Sequence, residues 1–257
     1  MDIPRAHRQD LAPIRFGWGL AAANALARDV DVAVVVDVLS FTTTTTVALD
    51  AGATVIPLRW RDERAEAVAR EAGAVLAVGR STAHDGQVSL SPAGMRRHAR
   101  AGQTIALPSP NGATIARALT DRAATCVAGC LRNAPAVGRW IHEIGAERVV
   151  VVAAGERWPD DTLRPADEDL WGAGAVLAAL HDLGHRAQSV EADTARASYL
   201  ALGSPEWVRA ALHRCASGRE LADSGFKADV DVAAEVGAST AVPVLRRDRF
   251  EPATVVP

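Results

Sequence analysis

Apolar residues along this chain come in short unbroken runs, each closed by a polar or turn-forming residue and followed by a stretch of helical periodicity. The runs at 32–36, 54–58, 75–78, 104–107, 125–127 and 149–154 are continuous rather than alternating. Continuous runs of this length are what strands covered on both faces require. Amphipathic segments at 62–72, 112–119, 133–144, 167–183 and 205–215 lie between and after them. Pro205 suits a first helical turn, with Ser204 as its cap. The alternation predicts an α/β protein, a three-layer α/β/α fold with a largely parallel or mixed sheet. Past 183 the character shifts: 185–193 reads as one more strand, short helical pieces follow, and 242–245 is a last apolar run. Residues 1–245 are expected to form one domain with a change of character near 184. Residues 246–257, with Pro252 and Pro257, are expected to form a loosely packed surface tail.

Composition removes several mechanisms. Of the 28 basic side chains only Lys227 is a lysine. There is no Gly-Lys-Ser/Thr, hence no P-loop, and a Schiff-base enzyme would have only Lys227 to use. A net charge of −3 with dispersed basic residues leaves no footprint for nucleic acid. The start carries Asp2, Arg5, Arg8 and Asp10 without an apolar core segment, and no stretch of about 18 residues is free of charge. The expectation is a cytoplasmic protein that neither crosses a membrane nor binds nucleic acid. Cys126, Cys130 and Cys215 complete no zinc pattern and read as reduced, buried thiols.

In open α/β sheets ligands bind beyond the carboxyl ends of the strands, where loops and helix N-termini converge. Asp37 closes the first run and leads into Thr42, Thr43, Thr44, Thr45 and Thr46. That order suits magnesium ligation or phosphate binding at a helix start, and equally a capped turn. Asn111 and Gly112 follow the 104–107 run, placing an amide and a glycine at another helix start. Arg132 and Asn133 follow the 125–127 run, the first a candidate anion clamp and the second a candidate cap. Glu156 follows 149–154, and Asp167, Glu168 and Asp169 open the next helix. The helix dipole alone favours acids there. Together with Asp37 and Glu156 they also offer hard oxygen donors at one sheet edge, suited to magnesium rather than zinc.

These segments, in this order, resemble the 2-phosphosulfolactate phosphatase (ComB-like) family over most of the chain. The resemblance rests on Asp37-Val38-Leu39 with the threonine run, Asn111-Gly112, Leu131-Arg132-Asn133-Ala134, Ala154-Gly155-Glu156 and Glu168-Asp169 with Ala173-Gly174. Farther on it adds Ser217-Gly218-Arg219-Glu220-Leu221, Gly225-Phe226 with Asp229-Val230, and Val242-Pro243-Val244-Leu245. It implies a magnesium-dependent phosphoric monoester hydrolase acting on 2-phospho-3-sulfolactate, a step toward coenzyme M, with an α/β/α fold peculiar to the family, and it allows a homodimer. Carried over by position, Asp37, Glu156 and Arg132 are the catalytic candidates. Thr43, Asn111, Gly112, Asn133 and Arg219 are the candidates for substrate binding, and Asp37, Glu168 and Asp169 for the metal.

The chain departs from the family pattern at several places, including Val88-Ser89-Leu90-Ser91-Pro92 where Gly-Asn-Ser-Pro is usual and Ser109-Pro110 where Thr-Thr precedes Asn-Gly. Ser40-Phe41 stands where Arg-Ala is usual, and Gly79-Arg80-Ser81 stands where Gly-Glu-Arg is usual. A cation and a carboxylate lost near the expected pocket open two alternatives: a phosphatase of altered specificity, or an inactive relative that binds an anionic metabolite or a partner protein. A haloacid-dehalogenase-like phosphatase is disfavoured, since its second aspartate would fall on Leu39.

Overall fold

The computed structural model describes residues 3–123 and 125–253. Its centre is a nine-stranded mixed sheet in the order β1-β7-β2-β6-β10-β11-β3-β5-β4. Strands β1 (Ile14–Trp18), β7 (Val149–Ala153), β2 (Val32–Val36) and β6 (Thr125–Gly129) form one parallel block. Strands β3 (Thr54–Leu58), β5 (Thr104–Pro108) and β4 (Val75–Leu76) form a second. The antiparallel hairpin β10 (Pro243–Arg246) and β11 (Arg249–Pro252) joins them, β10 against β6 and β11 against β3.

The unbroken valine runs have the expected cause. In β2, Ala33 and Val35 pack on one side of the sheet with α1 (Gly19–Leu26), α2 (Phe41–Asp50), α4 (Pro92–His98) and α5 (Gly112–Thr120). Val32, Val34 and Val36 pack on the other with α6 (Ala134–Glu143) and α7 (Asp167–Asp182). Successive side chains of a strand leave on opposite faces, so a strand between two helix layers has to be apolar throughout. Helix α3 (Glu63–Glu71) covers Ile56, Leu58 and Ala106 through Ala65 and Ala69.

Two expectations are corrected. The segment 185–193 contributes only a single bridge, Gln188 beside Ile14, before turning into α8 (Val190–Leu200), capped by Ser189. The supposed surface tail holds β11, and Phe250, with 0% of its surface exposed, lies in the core. Helices α9 (Pro205–Arg214), α10 (Ala216–Asp223) and α11 (Lys227–Ala233) precede the hairpin. Ser204 caps α9 by accepting the Trp207 N–H at 3.5 Å, as its position beside Pro205 predicts. All three cysteines are buried and free. Among the described residues no helix is long and apolar enough to cross a membrane.

Candidate active site

Beyond the carboxyl ends of β2, β4, β5 and β7 lies a cavity of about 750 Å³ lined by Asp37, Ser40, Arg61, Arg80, Asn111 and Glu156, among others. That size suits a small metabolite.

Asp37 is placed by the residues that follow it. Thr42 Oγ1 donates to the Asp37 carbonyl at 2.7 Å and accepts the Asp37 N–H at 3.0 Å, fixing the strand-to-helix turn. The Phe41 N–H donates to Asp37 Oδ1 at 2.9 Å. Thr43 is buried, and its hydroxyl donates to the Val38 carbonyl at 2.8 Å. The threonine run therefore builds the turn, and Thr43 does not line the cavity. Gly112 matters through its missing side chain: a Cβ there would meet Asp37 Oδ2 and the Phe41 ring, each at 2.5 Å. Burial, reinforced by the charge of Glu168 and opposed by the Phe41 N–H, raises the Asp37 carboxyl to about 6.

Asp169 braces two strand-end loops at once. Its Oδ1 accepts the Val38 N–H at 2.7 Å and its Oδ2 the Gly155 N–H at 2.8 Å. Burial and the charges of Asp37 and Glu168 push its pKa up, against the Val38 N–H. Gly155 has φ +66°, and a Cβ on it would lie 2.7 Å from Leu163 Cδ1, so this turn needs glycine. The turn delivers Glu156 into the cavity on a short hairpin, β8 (Glu156–Arg157) with β9 (Leu163–Arg164), where Glu156 stands opposite Arg164. Burial first, then the charges of Asp37 and Glu168, push the Glu156 carboxyl to about 8, with Arg164 opposing. Asn111 Nδ2 donates to the Gly155 carbonyl, joining the start of α5 to the same loop.

Three expected contacts fall elsewhere. Arg132 is 4% exposed and is spent inside the protein, pairing with Glu235 and, at 2.9 Å, with Asp50. It does not line the cavity. Asn133 is buried, accepting the Cys130 N–H and donating to the Ala128 and Ala241 carbonyls, which leaves its amide nothing to offer a ligand. Arg219 is exposed; Ser217, Glu220 and Leu221, one helical face, line the cavity instead.

Arg80, by contrast, carries a charge that position 40 was expected to lack. Its Nη2 donates to Ser40 Oγ and, at 2.9 Å, to the Leu90 carbonyl. Its Nε lies 2.9 Å from Asp229 Oδ2 without its N–H pointing along that line, so the attraction is Coulombic rather than a hydrogen bond. The lost cation of the Asp-Val-Leu segment is thus supplied from the β4 turn, with its guanidinium touching the Ser40 hydroxyl.

The donor set is hard oxygen, and carboxylates that raise one another's pKa gain from a cation between them. Among the described residues no three His, Cys, Asp or Glu side chains converge as a metal cage. Magnesium is commonly held by one or two carboxylates together with waters and substrate phosphate, so a single open carboxylate is compatible with it. Asp37 is the metal candidate open to the cavity; Glu168 and Asp169 are buried behind it.

The sequence profile of the 2-phosphosulpholactate phosphatase family matches residues 22–248. The chain is 31% identical to the 2-phosphosulfolactate phosphatase of Methanothermobacter thermautotrophicus over 85% of its own length and 88% of that protein. It is 31% identical to a probable 2-phosphosulfolactate phosphatase of Deinococcus radiodurans and 32% to one of Thermus thermophilus, in each case over 84% of its length and 88% of theirs. A chain matched from residue 22 to residue 248, with Asp37, Asn111 and Glu156 brought to one cavity, belongs to the 2-phosphosulfolactate phosphatase family of phosphoric monoester hydrolases.

Proposed function

We propose that this protein hydrolyses a small anionic phosphate monoester, 2-phospho-3-sulfolactate or a related phosphorylated hydroxy acid, in a magnesium-dependent reaction. The observation that carries the reading is the pair Asp37 and Glu156, two carboxyls of raised pKa facing arginines in one cavity at the strand ends. Groups pushed to different values divide the work between base and acid. Asp37, the lower of the two, is ionised at neutral pH and orients and deprotonates the attacking water. Glu156, still largely protonated, gives its proton to the leaving alkoxide oxygen as the phosphorus–oxygen bond breaks. The products are inorganic phosphate and the free hydroxy acid. Of the expected metal residues Asp37 would hold magnesium at the cavity, with the buried Glu168 and Asp169 adding negative charge behind it; the ion when bound would offset charge on the phosphoryl oxygens. Asn111 holds the Glu156 loop in place through the Gly155 carbonyl, and Gly112 leaves room for the Asp37 carboxylate.

The test is phosphate release from a panel of phosphorylated hydroxy acids with and without magnesium. Magnesium-dependent release, fastest on sulfonated or carboxylated esters, is the expected result. No release, alongside thermal stabilisation by the same compounds, would replace catalysis with binding alone.

A further inference from the structure

The cavity holds one arginine whose position is fixed before any ligand arrives. Arg80 opens the turn after β4, its side chain 18% exposed. Asp229 sits behind it, 2% exposed, and is itself held by the Ser91 hydroxyl and, at 3.0 Å, the Ala93 N–H. The Phe226 ring lies 5.4 Å from the guanidinium carbon. Nη2 is spent on Ser40 Oγ and the Leu90 carbonyl. Nη1 has no hydrogen-bond partner among the described residues, and Arg80 lines the cavity, so this edge of the guanidinium is open to a ligand. An arginine braced on three sides loses little conformational freedom when an anion binds to its free edge.

We infer that Arg80 is the binding residue for a second anionic group of the substrate, the one that is not transferred, and that it restricts turnover to phosphate monoesters bearing a sulfonate or carboxylate near the ester carbon. The inference rests on the proposed phosphatase reading and deepens it. The Asp37 carboxylate brings negative charge to the transferring side of the cavity, which repels any anion without its own cation. The transferred phosphoryl group would have magnesium for that purpose under the proposed reading. A second anion has only the arginines, and Arg80 is the one held rigidly against the Ser40 end of the Asp37 turn, while Arg61 and Arg157 are exposed on the cavity wall.

The experiment compares kcat/KM for 2-phospholactate and for isopropyl phosphate, an ester of similar shape without the second anion, in wild type, Arg80→Gln and Arg80→Lys. The ratio of the two substrates should fall about 10- to 100-fold in Arg80→Gln, the worth of one charge-assisted hydrogen bond. Arg80→Lys keeps a cation beside Asp229 and should show an intermediate ratio. An unchanged ratio in both variants, even with both rates lowered, would overturn the assignment. Calorimetry with 3-sulfolactate, which has no phosphate to lose, separates the two readings: binding lost in Arg80→Gln supports the anion site even if phosphatase activity is absent. Equal binding by wild type and Arg80→Gln would overturn it. Thermal melts of the variants identify any that are unfolded; Arg80→Lys, with its partner to Asp229 retained, then decides.

Discussion

Gly112 and Asp37 come so close that a single methyl group on the glycine would lie 2.5 Å from Asp37 Oδ2. Gly112 is the first residue of α5 and has an ordinary helical backbone, so alanine would on propensity alone be favourable by about 0.5–1 kcal/mol. Crowding reverses the sign, since overpacking a filled site costs about 1–3 kcal/mol. Gly112→Ala is therefore expected to lower the melting temperature modestly and to reduce kcat/KM severely, because the atoms displaced are the Asp37 carboxylate and the Phe41 ring beside it. Thermal melts together with kinetics on the folded protein check this; a variant as active as wild type would remove Gly112 from the site.

The pH behaviour follows from two raised carboxyls. Glu156 at about 8 must be protonated to act as an acid, so kcat/KM should fall on the alkaline side near that value, while magnesium on Asp37 should move the acid limb below the metal-free value of about 6. Stability runs the other way from an ordinary salt-bridged aspartate. The folded value exceeds the unfolded one, near 4, so between the two the folded state keeps a proton the unfolded state releases. Without divalent cation, melting temperature should fall as pH rises through about 6 for Asp37 and on through about 8 for Glu156. Asp37→Asn should flatten the lower part of that decline and raise the melting temperature above it. It should also cost roughly 10²- to 10⁴-fold in rate, the usual worth of a positioned proton-transfer group. Retained phosphate release would sink the assigned role.

Arg132 is expected to behave as a structural residue. Its guanidinium joins Asp50 at the end of α2 to Glu235 after α11, and Asp50 also accepts the Ser239 hydroxyl at 2.6 Å. Replacing a buried partner leaves uncompensated charge, worth about 3 kcal/mol here, the low end of the range because both acids keep some contact with water. At ~2–4 °C per kcal/mol for a chain of this size, Arg132→Ala should melt clearly lower. Removing Asp50 as well should add less than its own separate cost, because the two belong to one network. An Arg132→Ala protein that melts like wild type but binds anions poorly would return Arg132 to the site.

The sequence pattern located the strands where both faces are covered and lost them where they are not. The bounds of β2 and β3 coincide with the runs at 32–36 and 54–58. Strand β1 carries Arg15 and Gly17 in its middle and gives no apolar run; the arginine is buried because its guanidinium reaches the Ala12 and Leu26 carbonyls. At the strand ends, Asp37, Asn111 and Glu156 were legible as polar residues closing apolar runs, and all three reach the cavity. Arg132 and Asn133 occupy the same kind of position, but their partners, Glu235 and Ala241, are more than a hundred residues away, and no local pattern reveals them. The run at 75–78 was legible and holds β4, but Arg80 behind it stood out only as a departure from the family pattern, because its partners Ser40 and Asp229 are far off in the chain.

The segment after 246 contains one apolar residue between Arg249 and Pro252, which is why it reads as a tail. Phe250 nonetheless pairs with Val55 across the sheet and meets Phe41 edge-on, ring centroids 6.1 Å apart. Phe41 in turn lies against Gly112 beside Asp37, so the last strand supports the first residue of the site from below. Phe250→Ala should cost about 3–5 kcal/mol, as deletion of a fully buried ring does. Truncation after residue 246 should do more, because β11 is the only strand bonded to β3 on that side and its loss separates the two parallel blocks. The expected result is a truncated protein without a cooperative melt. In Phe250→Leu, whose smaller cavity leaves the fold intact, kcat/KM should fall as Phe41 gains room to move, while a truncated chain that melted normally would return these residues to the surface.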